Sequence, residues 1–260
     1  MTAEPVRHQR SEGSVHLTMG PQGIIRLREA HAAKLRMPFG VPEAILINTG
    51  GGLAGGDRFA FDITAEAQAR LTVTSQAAER VYRSLGPAAE VAVSLAAGDG
   101  ATLHWLPQET ILFDGAALNR SITADLAATA RFLAVEAVIL GREASGETVA
   151  DARLSDRWRI RQGSRLVFAD DLAFAGAPPA SPATLGEARA FATVLLLAPE
   201  AENLLDPVRT AIGARGAASS WSGKLVARLA ARDGFDLRKS LIPALTLLAG
   251  GGDLPKTWSF

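Results

Sequence analysis

The stretch AILINTGGGLAGGDRFAFDI, residues 44–63, offers the first candidate chemistry in the chain. Gly50, Gly52 and Gly55 stand at the G-x-G-x-x-G spacing of a dinucleotide site, and Gly51 and Gly56 at the G-x-x-x-x-G spacing of a phosphate loop. Either device needs a helix directly after the glycines, because the anion is held by the free N–H groups and positive end of a helix N-terminus. The chain instead continues as GDRFAFDI, in which Phe59, Phe61 and Ile63 alternate with Arg58, Ala60, Asp62 and Thr64. That period of two predicts a half-buried strand. Asp57 stands where a phosphate loop places lysine, so the local charge has the wrong sign. Glu79 lies roughly 20 residues on, where a ribose partner belongs, but in a polar and irregular stretch. A nucleotide-dependent oxidoreductase using Gly50–Gly56 is therefore the alternative reading. The leading one is a positive-φ connection between two strands, longer than the two to five residues of a simple hairpin.

Other reactive constellations are few. The chain has no cysteine, which excludes disulfides, thiolate metal sites, iron–sulfur clusters and thiol catalysis. Its four histidines are His8, His16, His31 and His104, and no two have the i, i+4 spacing of helical metal ligands. His104, in ATLHWLP, reads as a packed strand residue. There is no H-E-x-x-H, no G-x-S-x-G elbow and no Ser–His–Asp order. These residues carry no cofactor signature and make a permanent, high-affinity metal site unexpected.

The elements that would carry these residues are mostly strands. Strand patterns run through SVHLTM, EAILIN, ARLTVTS, EVAVSLAA, ATLHWL, ETILFD, NRSITADLA and RFLAVEAVIL, separated by GP, GDG and DG breakers. IIRLREAHAAKLRM is ambiguous between strand and helix. DRWRIRQGSRLVFADDLAF predicts a hairpin turning at Gln162–Ser164, and ARAFATVLLLA a buried strand. Two segments predict helices near the C-terminus, PEAENLLDPVRTAIG and DLRKSLIPALTLLAGG, the second with Leu237, Leu241, Leu245 and Leu248 on one stripe. The fold class is mainly β, with residues 1–12 as a flexible tail and 13–260 as one β-rich domain. Residues 1–12 are polar and the longest apolar run is far short of the ~20 residues of a membrane span, so a cytoplasmic protein is expected. Basic and acidic residues balance at 27 each, which argues against nucleic acid or a membrane as partner. A carbohydrate-handling β protein is not favoured by the 6% aromatic content.

Taken in chain order, LINTGGGLAGGDRFAFDI, LTVTSQAAERVYRS, LPQETILFDGAALNRSI, EAVILGREASGE, DRWRIRQGSRLVFAD, WSGKLVARLAARDGFDLRKSLIPAL and LPKTW resemble the urease accessory protein UreD family, also called UreH. The resemblance spans nearly the whole chain beyond the tail. It implies a layered, helicoid-like arrangement of many short strands. It also implies a non-enzymatic scaffold for maturation of the nickel enzyme urease. Such a scaffold binds UreF, through it the GTPase UreG, and apo-urease, in an accessory complex that can be dimeric. Nickel passes through it in transit rather than residing there.

That implication gives the carboxylates a possible role, since nickel in transit suits exchangeable oxygen and imidazole ligands. Asp57, Asp62, Glu109, Asp114, Glu136 and Glu143 lie inside the family-like motifs, where the favoured reading of each is a solvated carboxylate, a turn cap or an ion-pair partner. Asp57 stands out for its tie to the glycine loop. Glu136 interrupts an apolar run and is costly to bury unpaired. Asp57, Asp62 and Glu136 are the candidates for a transient nickel path. Tyr82 and Arg83 are candidate partner contacts, as those types are enriched at interface hot spots. On RWRIR, Arg157, Arg159 and Arg161 share a face opposite Trp158 and Ile160, a stripe suited to an acidic partner or simply to water.

Overall fold

A computed structural model describes residues 10–142 and 145–259 of the chain. Its strands are β1 (Glu12–Gly20), β2 (Gly23–His31), β3 (Ala33–Arg36), β4 (Glu43–Asn48), β5 (Arg58–Ala65), β6 (Arg70–Ser75), β7 (Glu79–Val81), β8 (Ala89–Ala97), β9 (Thr102–Leu106) and β10 (Thr110–Leu112). They continue with β11 (Ala117–Leu126), β12 (Arg131–Leu140), β13 (Ala152–Gln162), β14 (Arg165–Gly176), β15 (Ala190–Leu197), β16 (Gly216–Trp221) and β17 (Lys224–Ala231). The helices α1 (Leu205–Ile212) and α2 (Gly234–Leu248) flank the last hairpin. One sheet is ordered β14-β13-β11-β8-β5-β1-β2 and the other β16-β17-β15-β12-β9-β6-β4-β3.

From β4 to β13 the chain coils as a solenoid, up one sheet and down the other, so β5, β8, β11 and β13 are parallel to one another, as are β4, β6, β9 and β12. At the lower rim the connections 66–69, 98–101 and 127–130 are four residues each. They stack: the Gly98 N–H donates to the Ala65 carbonyl and the Ala127 N–H to the Ala97 carbonyl, both at 2.8 Å. Alanines 65, 69, 97, 101 and 130 are buried at these corners, where a larger side chain would keep the two sheets from meeting. These five alanines thus serve tight corners. The upper rim collects the long connections 49–57, 76–88 and 107–116, with the described residues 141–142 and 145–151.

Two cores result. Between the sheets lie Leu17, Phe59, Leu103, Phe132 and Trp158. On the outer face of the β12–β15 region, Leu133 and Leu196 pack against the leucine stripe of α2 and against Trp258. β15 is buried on both faces, which is why it reads as a nearly continuous apolar run. α2 starts at Gly234, two residues before the predicted segment, because Asp233 caps it by accepting the Asp236 N–H at 2.6 Å. The ambiguous run 24–37 is β2 and β3, broken at His31 with φ 54°. Of the expected tail, residues 1–9 lie outside the described residues. Its end is ordered: the Ser11 N–H bonds to Asp57 and Glu12 opens β1.

Candidate functional site

The β12 strand has two successive neighbours on one side. Arg131–Ala134 pair with β9, and Val138–Leu140 pair with β10, which in turn pairs with β7. The sheet forks between them, and Glu136 stands at the fork. A cavity of about 210 Å³ fills the split, bounded by Asn48 and Gly51–Leu53 of the glycine loop, by 75–80, and by Pro107, Gln108 and Thr110. Its inner wall holds Phe61, Trp105, Arg120 and Glu136. That space admits on the order of ten waters.

Three charges converge at the inner end. Arg120 lies on β11 directly opposite Asp156 of β13, and its Nη2 reaches Asp156 Oδ2 at 2.5 Å. Its Nη1 donates to Thr110 Oγ1 at 3.1 Å and pairs with Glu136 from the facing sheet. Trp105 Nε1 donates to Glu136 Oε1 at 2.9 Å, and Trp158 Nε1 to Asp156 Oδ1 at 3.2 Å. Burial with one guanidinium for two carboxylates pushes the Glu136 carboxyl up to about 7, against the pull of Arg120. At the mouth, burial likewise raises Glu79 to about 7, although Asn48 Nδ2 donates to it at 3.2 Å. The Gln108 Nε2 has no protein acceptor among the described residues, because its Oε1 already serves Arg238. That amide N–H is left unsatisfied beside the cavity.

The glycine loop roofs this cavity and holds no phosphate cradle. It passes straight into β5, with no helix after it, so the dinucleotide and phosphate-loop readings fail on geometry. Gly52, at φ 144°, lies under the Tyr82 ring: a Cβ there would come within 2.4 Å of Tyr82 Cε2 and 2.8 Å of the Arg80 carbonyl. The Tyr82 hydroxyl donates to the Gly51 carbonyl at 2.9 Å. The glycines are needed for close approach and for positive φ.

Comparison with known proteins then decides the family. The model of the family described as UreD urease accessory protein matches residues 11–259. The chain belongs to the UreD family. Curated relatives named "Urease accessory protein UreD" include that of Agrobacterium fabrum, 48% identical over 98% of this chain and 94% of the relative. The one from Rhizobium etli is 48% identical over 100% of this chain and 99% of the relative, and the one from Rhizobium leguminosarum bv. viciae 48% over 99% and 98%.

In this UreD-family fold the three carboxylates singled out from the sequence do not come together. Glu136 is the one that lines the cavity. Asp57 is buried in the rim, its Oδ1 accepting from the Ser11 N–H at 2.8 Å and its Oδ2 from the Ala54 N–H at 2.7 Å, a turn clasp. Asp62 points outward from β5 and sits 3.2 Å from His16 Nδ1, on the far side of the sheet from the cavity. Glu109 is bound by Arg238 at 2.7 Å, Asp114 clasps the Ala150 and Asp151 N–H groups, and Glu143 lies outside the described residues. Among the described residues no three His, Asp or Glu side chains form a metal cluster. His104 is packed as expected, and burial first, then Arg131 and Arg70, lower it to about 4.

Tyr82 packs on the glycine loop and edge-on to Phe113, while Arg83 pairs with Asp114. Trp158 and Ile160 are buried, and Arg157 and Arg161 are exposed on the opposite face, with Arg159 2.6 Å from Asp171. The sequence offers Glu79 only as a ribose partner, and it assigns no role to Gln108, Arg120 and Asp156. Arg120 and Asp156 carried a signal, since both fall in the inward row of strands whose other inward residues are apolar.

Proposed function

We propose that this chain serves urease maturation as a non-catalytic cytoplasmic scaffold that binds apo-urease and UreF, and through UreF the GTPase UreG, and that nickel crosses it by the forked cavity. Family membership over almost the entire length supports the maturation role. The observation that carries the path is a roomy, largely apolar cavity with carboxylates at both ends, Glu79 at its mouth and Glu136 at its inner end. Nickel would be cargo here. A carboxylate held near pKa 7 is half protonated at neutral pH, so a divalent ion competes with a proton and leaves readily. Oxygen donors and water suit such hand-over better than the tight nitrogen and sulfur sets of a storage site. Asp57 contributes by holding the roof, and Asp62 has no place on the route.

The test is co-expression with urease and the other accessory proteins, reading urease nickel content and activity. Omission of this chain is expected to leave urease largely nickel-free, and full activation without it sinks the reading. Glu136→Gln and Glu79→Gln are expected to lower nickel content several-fold while the accessory assembly still forms. Unchanged nickel in both removes the cavity as the path and leaves the scaffold role standing.

The outer arginine stripe is assigned to an acidic partner surface, with Tyr82 and Arg83 at the rim as a second contact. Charge reversal at Arg157 and Arg161 is expected to weaken capture of UreF or urease, the more so at low salt, where long-range attraction is least screened. Capture that ignores both charge and salt rules the stripe out.

A further inference from the structure

The solenoid is finished differently at its two ends. At the far end, α1 packs beside β16, and β14 carries Asp170 and Asp171 paired to Arg228 and Arg159. At the near end β2 is the terminal strand of its sheet and pairs with β1 alone. Its counterpart across the layers, β3, has only four residues against the nine of β2, and none of the described residues covers most of β2. Residues 23–29 are exposed on both faces.

The side chains on that edge are ordered by the β1 register. Ile24 is opposite Met19 and Leu27 opposite Leu17, so both share the face that is buried in β1. In β2 they are 49% and 39% exposed, and Ile25, at the bulge between them, is 65% exposed. Phe39 and Val41, on the turn between β3 and β4 at the same lower rim, are exposed too. Arg26 and Arg28 occupy the other face, opposite Thr18 and His16. Neither has a carboxylate partner among the described residues. The one acid of β2, Glu29, is committed to the Leu35 N–H.

An open edge of this kind adds a strand unless something prevents it. A second copy is excluded by charge. Antiparallel two-fold pairing keeps residues of one face opposite each other, so full-length registers set Arg26 against itself, Arg28 against itself, or one against the other. Like charges directly opposite are destabilising. The geometry points to β2 as the acceptor for one added strand, an extended partner segment that alternates apolar with acidic residues. Its apolar side chains would cover Ile24, Ile25 and Leu27, and its carboxylates would face Arg26 and Arg28. This surface is separate from the cavity and from the outer arginine stripe.

The full chain can be probed with acetylated (Glu-Val)4 and (Lys-Val)4 peptides, reading fluorescence anisotropy and backbone hydrogen exchange. The acidic peptide is expected to bind, to slow exchange of the 23–31 amides, and to weaken as salt rises. Arg26→Glu with Arg28→Glu, both on the surface, is expected to cost tenfold or more with the acidic peptide and to reverse the preference. Leu27→Asn is expected to weaken both. No slowing within 23–31, equal binding of both peptides, or a concentration-dependent dimer lost in Leu27→Asn would overturn the proposal.

Discussion

Arg120 is shared between Glu136 and Asp156, and that two-to-one ratio governs how the buried cluster behaves. Breaking a buried pair from one side leaves an uncompensated charge, which costs on the order of 3–5 kcal/mol. Arg120→Met strands two carboxylates that the fold holds together across both sheets. Neutral-pH unfolding of that variant should show a loss toward the lower end of this range, because Glu136, without the downward pull of Arg120, keeps its proton at that pH. Glu136→Gln should cost far less, since Arg120 keeps Asp156 and the amide can still face Trp105. Equal losses from the two variants, measured by urea titration, would mean that packing rather than charge balance holds the cluster.

At the scale of elements, the glycine loop and the fork belong to one construction. The loop lies between β4 and β5, and Tyr82, just beyond β7, clamps it from above. Gly52→Ala meets both a flexible ring and a backbone carbonyl at a φ that side chains avoid, so a cost of about 1–3 kcal/mol is expected. Adding Tyr82→Ala to Gly52→Ala should recover only part of it, because the Arg80 carbonyl stays in place. Urea titration of the single and double variants checks both expectations. Much of this construction is legible in sequence. Phe59, Phe61 and Ile63 announce β5, and the leucine stripe announces α2. Glu136, Arg120 and Asp156 each break an apolar row and so are readable as buried charges. That they meet is not readable, because it depends on the β11–β13 register and on where the facing sheet forks. The three-residue β7 and β10 that make the fork are too short to show periodicity. The hairpin of β16 and β17 escapes a sequence reading because its turn at Ser222–Gly223 looks like motif rather than punctuation.

For the whole molecule, the shifted groups predict an uneven response to pH. Asp114, Asp233, Asp236 and Glu147 are held below their usual range, Asp114 and Asp233 by backbone N–H groups and Asp236 and Glu147 by arginines, so their stabilisation is lost as pH falls through the acid range. His104, lowered to about 4, acts in the same direction: the unfolded chain takes up its proton first as pH drops below the ordinary histidine range. Glu79 and Glu136, raised to about 7, act oppositely, since the folded state keeps their protons longer and loses that advantage as pH rises from 4.5 to 7. The two carboxyls outweigh the one imidazole over that interval, so Tm should peak near pH 5 and decline toward pH 8. Glu79→Gln removes one titration without emptying the mouth, and it should flatten the alkaline limb by on the order of 1–2 kcal/mol, a range reduced for its partial exposure to solvent. Calorimetry of both proteins from pH 4.5 to 8 checks this, and parallel curves would place the Glu79 proton outside the folding equilibrium. The same titration bears on cargo: if both carboxyls ionise only near neutrality, nickel uptake by the accessory assembly should fall steeply below pH 6, and the Glu79→Gln form should depend less on pH.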